Sequence, residues 1–259
     1  MAFKNNIKKI VPDSILYFLK RLVIKIIIRK KQVRCISMSQ VGQDYWVYGE
    51  VFNEKRDGFF IDIGAHNGVN FSNTFLLEKR YNWTGICIEA NPNLFQSLKS
   101  NRSCKCLNQC VSNKEESLTF ALSGLWGGIV APDCDLSRVE SNNTITLEAV
   151  RLENLLQQEG APSVIDYLSI DIEGAEDRVL LEFPFEKYIF NCITIERPSN
   201  KLKALLAEKG YILIKEIPGL DCFFIHRSFK DYYTSNIFKF GRKKFLRMPW
   251  RILVELSYE

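Results

Sequence analysis

Phe59-Phe60-Ile61-Asp62-Ile63-Gly64-Ala65-His66-Asn67-Gly68 is the stretch that decides the fold of this chain. A short apolar run ends in an acid and then breaks into a tight glycine turn. Twenty-one residues after Gly68, a second apolar run, Thr84-Gly85-Ile86-Cys87-Ile88, ends in Glu89. Strand, glycine turn, helix, strand and terminal acid form the layout of a nucleotide-binding βαβ unit. The glycines let the backbone approach a ligand that a Cβ would exclude. The acid suits a ribose, because a carboxylate accepts hydrogen bonds from two vicinal hydroxyls. Asp62, Gly64, Ala65, Asn67, Gly68 and Glu89 are therefore the candidate nucleoside-binding residues.

Outward from this unit, apolar runs alternate with amphipathic stretches. Strands are expected at 59–63, 84–89, 105–111, 164–170, 191–196, 211–216 and 221–226. Helices are expected near 72–80, 92–101, 151–159, 175–182 and 200–209, with a helical pattern also through Tyr45, Val47, Tyr48, Val51 and Phe52. Continuous apolar strands between helices indicate a mostly parallel sheet covered on both faces. The last two runs break that rhythm, because only Ile217-Pro218-Gly219-Leu220 lies between them. Such a connection is too short for a crossover, so they pair as a hairpin and the final strand runs antiparallel. The spacing of the first turn is not GxGxxG, and no third glycine is placed to cradle a pyrophosphate. Together these features give an α/β, Rossmann-like fold, a seven-stranded, mostly parallel sheet with an antiparallel last strand and helices on both faces, and this layout resembles the class I methyltransferase fold. The nucleotide used on that fold is S-adenosyl-L-methionine, a sulfonium nucleoside without phosphate.

Residues 112–150 interrupt the βα rhythm. They hold a strand-like run (Leu118–Leu122), a glycine-rich turn (Gly124-Leu125-Trp126-Gly127-Gly128) and an extended run (Thr144–Val150). They read as an excursion over the active-site edge, suited to substrate recognition, or as an extension of the sheet with no ligand role.

The second informative segment is Tyr167-Leu168-Ser169-Ile170-Asp171-Ile172-Glu173-Gly174-Ala175-Glu176. A strand delivers Asp171 and Glu173 to its C-terminal edge just before a helix. Capping accounts for one of them but not readily for both. Glu196 ends the following strand in Ile193-Thr194-Ile195-Glu196-Arg197-Pro198. Adjacent strand ends lie about 5 Å apart, so these acids can converge. Gathered carboxylates titrate unusually, hold a divalent cation or accept a proton. Asp171, Glu173 and Glu196 are thus the candidate catalytic residues and the candidate ligands for a divalent cation. With only His66 and His226 in the chain, a histidine-based zinc site or a Ser-His-Asp triad is disfavoured.

Charge is unevenly placed. Residues 1–34 carry ten Lys/Arg against Asp13, residues 239–259 carry six against Glu255 and Glu259, and the whole chain is +5. The middle is therefore acidic, and the basic body of a nucleic-acid binder is absent. The apolar stretch 15–28 is interrupted by Lys20, Arg21 and Lys25. It reads as a basic amphipathic helix, lying on an anionic membrane surface or packed on the protein itself, rather than a spanning segment. The expected organisation is a basic N-terminal extension (1–36), a catalytic domain (37–228) and a basic C-terminal extension (229–259). Peripheral membrane contact through residues 1–34 is one of the two expectations for the N-terminal extension, packing on the protein itself the other. Eight cysteines without CxxC spacing or nearby histidine suggest free thiols in a reducing, cytoplasmic setting. Of these, Cys104, Cys106 and Cys110 cluster around the third strand.

Ser39-Gln40-Val41-Gly42-Gln43-Asp44, Asp62-Ile63-Gly64-Ala65-His66-Asn67-Gly68, Ile86-Cys87-Ile88-Glu89 and Ser169-Ile170-Asp171-Ile172-Glu173-Gly174-Ala175-Glu176, taken together, resemble the FkbM family of S-adenosylmethionine-dependent methyltransferases. The resemblance runs from about residue 37 to 226, and its most specific part is Asp171-Ile172-Glu173-Gly174-Ala175-Glu176. Ala90 departs from it, standing where similar sequences often carry proline. The resemblance implies O-methylation of a hydroxyl on a sugar, glycolipid, polysaccharide or natural product, hence a small-molecule or glycan partner. A nicotinamide-dependent enzyme on a related fold, and a non-catalytic membrane-surface protein that kept the fold, are the rival readings.

Overall fold

The computed structural model describes residues 37–123, 126–134 and 143–236. The basic segments 1–36 and 237–259, with the expected amphipathic helix at 15–28, lie outside the described residues. Among the described residues no helix is long and apolar enough to cross a membrane.

Strand β1 (Phe59–Ile63) pairs in parallel with β2 (Thr84–Ile88), which pairs in parallel with β3 (Lys105–Leu107). The expected strand 105–111 is thus broken. Its pairing ends at Leu107, opposite Ile88, where β2 itself stops. Asn108 then turns the chain by donating its Nδ2 to the carbonyls of Glu89 (2.8 Å) and Ala90 (3.1 Å). Cys110–Ser112 instead forms β4 of a second sheet. It pairs in parallel with β6 (Thr144–Arg151), which pairs antiparallel with β5 (Glu116–Ala121). The excursion is therefore a small sheet rather than a loop.

On the other side of β1 come β7 (Val164–Ile170) and β8 (Ile189–Glu196), both parallel to it. The hairpin of β9 (Tyr211–Glu216) and β10 (Asp221–His226) completes the order β3-β2-β1-β7-β8-β10-β9. β10 runs antiparallel to both neighbours. The last strand is reversed as expected, but β9, not β10, takes the edge.

Among the described residues, short helices cover the two faces. α1 (Gln43–Tyr45) continues as a π-helical turn (Trp46–Val51); α2 is Phe75–Tyr81, α3 Pro92–Asn101, α4 Leu152–Gln158, α5 Glu176–Leu180 and α6 Asn200–Glu208. α3 starts sharply because Pro92 occupies its first position and the Asn91 side chain accepts from the backbone of Asn93 and Leu94. Leu152, Leu156, Val179, Leu202 and Leu206 of α4, α5 and α6 pack against Ile61, Ile63, Leu168, Ile193 and Phe224. Burying each such side chain contributes about 1.5–3 kcal/mol. On the other face Trp46 packs edge-on to Phe223, with ring centres 5.1 Å apart, and Tyr48 stacks on Tyr81 at 4.8 Å. Residues 230–236 are helical and dock back, Asn236 Nδ2 donating to the carbonyl of Val51 at 2.8 Å.

Candidate functional site

Register brings the chemistry together. Ile63 lies opposite Ile88 and Ile170, and Ile170 lies opposite Ile195. One residue further on, Gly64, Glu89, Asp171 and Glu196 therefore share one rung at the C-terminal edge of the parallel strands. Asp221 pairs directly with Glu196 and extends the rung onto β10. Two strand spacings, about 10 Å, separate Glu89 from Asp171. This is the edge at which open α/β sheets hold ligands.

The glycine turn is built into that rung. The backbone N–H groups of Gly64 and Ala65 both donate to the Ile88 carbonyl at 3.0 Å. Gly64 has φ +82°, and a Cβ placed on it would lie 1.9 Å from the carbonyl oxygen of Asp171. At Gly68, with φ +77°, a Cβ would meet Arg102 and Leu98 at 2.7 Å. Both glycines are thus required where protein meets protein. Asn67 stabilises the turn as an Asx motif, its Oδ1 accepting from Val69 (3.1 Å) and Asn70 (2.8 Å).

Glu89 is buried, its Oε2 accepting from the His66 backbone at 2.8 Å and its Oε1 from Asn91 at 2.8 Å. One acceptor lone pair remains on each oxygen, the pattern two vicinal ribose hydroxyls require. Asp62 lies beneath the turn. Thr74 Oγ1 donates to its Oδ2 at 2.6 Å, and Arg102 donates to the same Thr74 hydroxyl at 3.0 Å.

Asp171, Glu173 and Glu196 each present a carboxylate oxygen within 4.8 Å of the others. Arg197 bridges two of them, its Nη2 lying 3.3 Å from Glu173 and 3.2 Å from Glu196. Glu173 (φ +54°) and Arg197 (φ +43°) both hold left-handed backbone conformations, which cost non-glycine residues about 1–2 kcal/mol each. Glu176 clamps the loop that presents Glu173, its carboxylate accepting from the backbone of Ile172 (2.8 Å) and Gly174 (3.0 Å). Burial, then Glu196, Asp221, Glu173 and Glu176, hold the Asp171 carboxyl well above the usual carboxylate range.

Sequence reasoning missed Asp221 and Gln43. Gln43 Nε2 donates to Asp221 Oδ2 at 2.6 Å, so the Ser39–Asp44 motif reaches the acid rung. The reversal of β10 was the available signal, since it places the first residue of that strand beside the last residues of the others. The second sheet also reaches the site: Leu118, Phe120, Ile129 and Ala149 pack with Ala175 and Ile172. Arg178 of α5 ties this sheet down through Ser112, Glu116 and Asp133. Among the thiols the structure corrects the expected grouping. Cys110 is carried by β4 of the second sheet, and Cys87 joins Cys104 and Cys106 instead, because β3 is laid against β2.

Several acids retain their protons unusually well. Burial pushes Glu89 up to about 7, Glu176 to about 8 and Asp221 to about 6. The folded state thus binds more protons than the unfolded chain above the ordinary carboxylate range. The corresponding stability is complete below that range and is lost as pH rises through these values. His66 and His226, lowered by burial, and Cys104, lowered to about 5 by hydrogen bonds from Cys106 and Cys87 and then by Arg102, oppose the trend, but they are partly exposed groups against three buried acids. Glu78 is held at about 2, burial being outweighed by Lys79, Ser103 and Arg102, and titrates outside this window. Calorimetry should show the melting midpoint falling by several degrees from about pH 5 to about pH 8.5. A midpoint that climbs over that interval would contradict the assignment of these protons.

The family model for the methyltransferase FkbM domain matches residues 62–213. No curated protein matches the chain. A crystal structure of methyltransferase FkbM from Methylobacillus flagellatus is similar at 13% identity and a TM-score of 0.40, over 65% of this chain and 43% of that one. The chain thus spans less than half the length of that relative. The N-terminal domain of human METTL16 in complex with SAH is similar at 13% identity and a TM-score of 0.41, over 74% and 72% of the two chains. A TehB-like SAM-dependent methyltransferase from Corynebacterium glutamicum is similar at 10% identity and a TM-score of 0.38, over 83% and 100%.

Proposed function

Because this chain belongs to the FkbM methyltransferase family, we propose that it methylates a hydroxyl of a sugar, glycolipid, polysaccharide or natural product, with S-adenosyl-L-methionine as donor. One rung running Glu89, Gly64, Asp171, Glu196, Asp221 carries this conclusion. It sets a nucleoside-type acceptor at one end and clustered carboxylates at the other. When bound, S-adenosyl-L-methionine supplies a methyl group already activated on a sulfonium sulfur. Glu89 holds the ribose, and the turn Gly64–Gly68 supplies the floor beneath it. Asp171 accepts the proton of the incoming hydroxyl. Its raised proton affinity brings it closer to working pH, where a general base acts best. Glu173, Glu196 and Arg197 keep that carboxyl oriented. Positioning of this kind contributes roughly 7–11 kcal/mol in favourable cases. The second sheet, packed on the loop that bears Glu173, supplies acceptor specificity.

A divalent cation is the second reading, favoured by the carboxylate trio. Asp171, Glu173 and Glu196 are the hard oxygen donors that Mg2+ or Ca2+ prefers. Removal of the cation with EDTA should then lower turnover, restored by added Mg2+. Insensitivity to EDTA would leave Asp171 acting alone.

Incubation with labelled donor and a glycan panel should transfer methyl to a hydroxyl. Donor binding without transfer to any hydroxyl would favour the non-catalytic alternative. Glu89→Ala should weaken S-adenosylhomocysteine by about 1.5–3 kcal/mol, roughly 10–150-fold, on loss of a charge-assisted bond. Calorimetric titration reads this directly, and an unchanged affinity would remove Glu89 from the donor site.

A further inference from the structure

Three thiols meet beneath the donor turn in a group the proposed reaction does not use. Cys87 lies fully buried in β2, two residues before Glu89. Cys104 is half-buried at the corner between α3 and β3, two residues after Arg102. Their sulfur atoms are 3.5 Å apart. Cys106 stands opposite Cys87 across the ladder, and its thiol donates to the Cys104 carbonyl at 3.5 Å.

The three are not equivalent. Arg102 has a fully buried side chain that donates to Glu78 at 2.6 Å and to Thr74 at 3.0 Å. It places a fixed positive charge near the sulfurs, and such a site favours thiolate over thiol. Hydrogen bonds from Cys106 and Cys87, followed by Arg102, lower the pKa of Cys104. Burial raises that of Cys87. Only Cys104 is both acidified and reachable from solvent.

We propose that Cys104 is a modification site for hydroperoxides and related soft electrophiles, and that its oxidised form closes a disulfide onto Cys87. The Cys104 thiolate attacks a peroxide oxygen, so that an S–O bond forms, the O–O bond breaks and hydroxide (or alkoxide) departs. The Cys87 thiol, giving up its proton, then attacks the Cys104 sulfur. The S–S bond forms, the S–O bond breaks, and hydroxide leaves as water after taking a proton. Two thiols are oxidised, and one peroxide is reduced to water plus alcohol, or to two waters. Closure to a disulfide length of about 2.05 Å needs the sulfurs to approach by roughly 1.5 Å. The crosslink would tie the strand that presents Glu89 to the corner that carries Arg102, whose guanidinium also reaches the Gly68 carbonyl at 3.4 Å. This chemistry does not depend on the identity of the methyl acceptor.

The full chain, treated with hydrogen peroxide, alkylated and digested, should yield a Cys87–Cys104 linked peptide that dithiothreitol reverses. The link should vanish in Cys104→Ser and persist in Cys106→Ser. In the reduced protein, limiting iodoacetamide should label Cys104 at least about tenfold faster than Cys134. Cys134 is a fair reference because it is also half-buried and its thiol is raised by burial and Asp133. Labelling of Cys104 no faster than Cys134, a Cys104–Cys106 link, or a link that survives Cys104→Ser would each overturn the proposal.

Discussion

Asp171→Asn should lower turnover by about 10²–10⁴-fold, the usual contribution of a positioned general base, while S-adenosylhomocysteine affinity stays within a few-fold. The substitution keeps the shape of the side chain and removes its ability to take a proton. It also removes a charge that burial, and then Glu196, Asp221, Glu173 and Glu176, disfavour at that position. Thermal stability should therefore be kept or improved, which separates a chemical defect from a folding defect. In the unsubstituted protein the working form of Asp171 is the deprotonated one. Turnover should accordingly rise with pH on the acid side, with a midpoint above the ordinary carboxylate value of about 4. If Asp171→Asn instead lost donor affinity and kept turnover at saturating donor, Asp171 would belong to the donor pocket and the base would have to be sought elsewhere.

Gly64→Ala should be the most destructive small substitution in the described residues. Its added methyl would sit 1.9 Å from the Asp171 carbonyl oxygen and 2.9 Å from the carbonyl carbon. Both are backbone atoms immediately after the end of β7, held by the hydrogen bond from Asp171 N to the Ile63 carbonyl at 3.1 Å, so no rotamer change relieves the overlap. The backbone conformation at φ +82° adds about 1–2 kcal/mol for any L side chain. Overpacking adds about 1–3 kcal/mol. A loss of about 2–5 kcal/mol consumes much of the roughly 5–15 kcal/mol that holds a domain folded. Urea denaturation should show this as a large drop in midpoint at unchanged slope. Gly68→Ala meets only the side chains of Arg102 and Leu98, which can shift, and should cost less. A Gly64→Ala protein that unfolds like the parent would mean that β1 and β7 do not converge this closely.

The elements of this protein were legible wherever they depend on contiguous residues. The run Phe59–Ile63, the glycine turn behind it and the acid after Ile88 announce the strand, turn, helix and strand of a βαβ unit by periodicity and turn chemistry alone. The short connection 217–220 forces a hairpin, and with it a reversed strand. Asp171, Glu173 and Glu196 stand at strand ends in the sequence, and the structure brings those three together.

What depends on register and strand order came only with the tertiary structure. The stretch 105–111 has the apolar pattern of one strand, yet it serves two sheets, because pairing with β2 ends at Ile88 and local pattern does not record where a neighbour stops. Asp221 opens a strand and carries no motif. It joins Glu196 because β10 enters the sheet reversed beside β8. Cys87 and Cys104 lie far apart in the chain and meet because β3 is laid against β2. A one-residue slip in any of these pairings would turn the rung residues to the opposite face. Propensity and periodicity belong to neighbours along the chain and set which elements form. The mutual packing of buried faces sets their register, and the register places Glu89, Gly64, Asp171, Glu196 and Asp221 on one line.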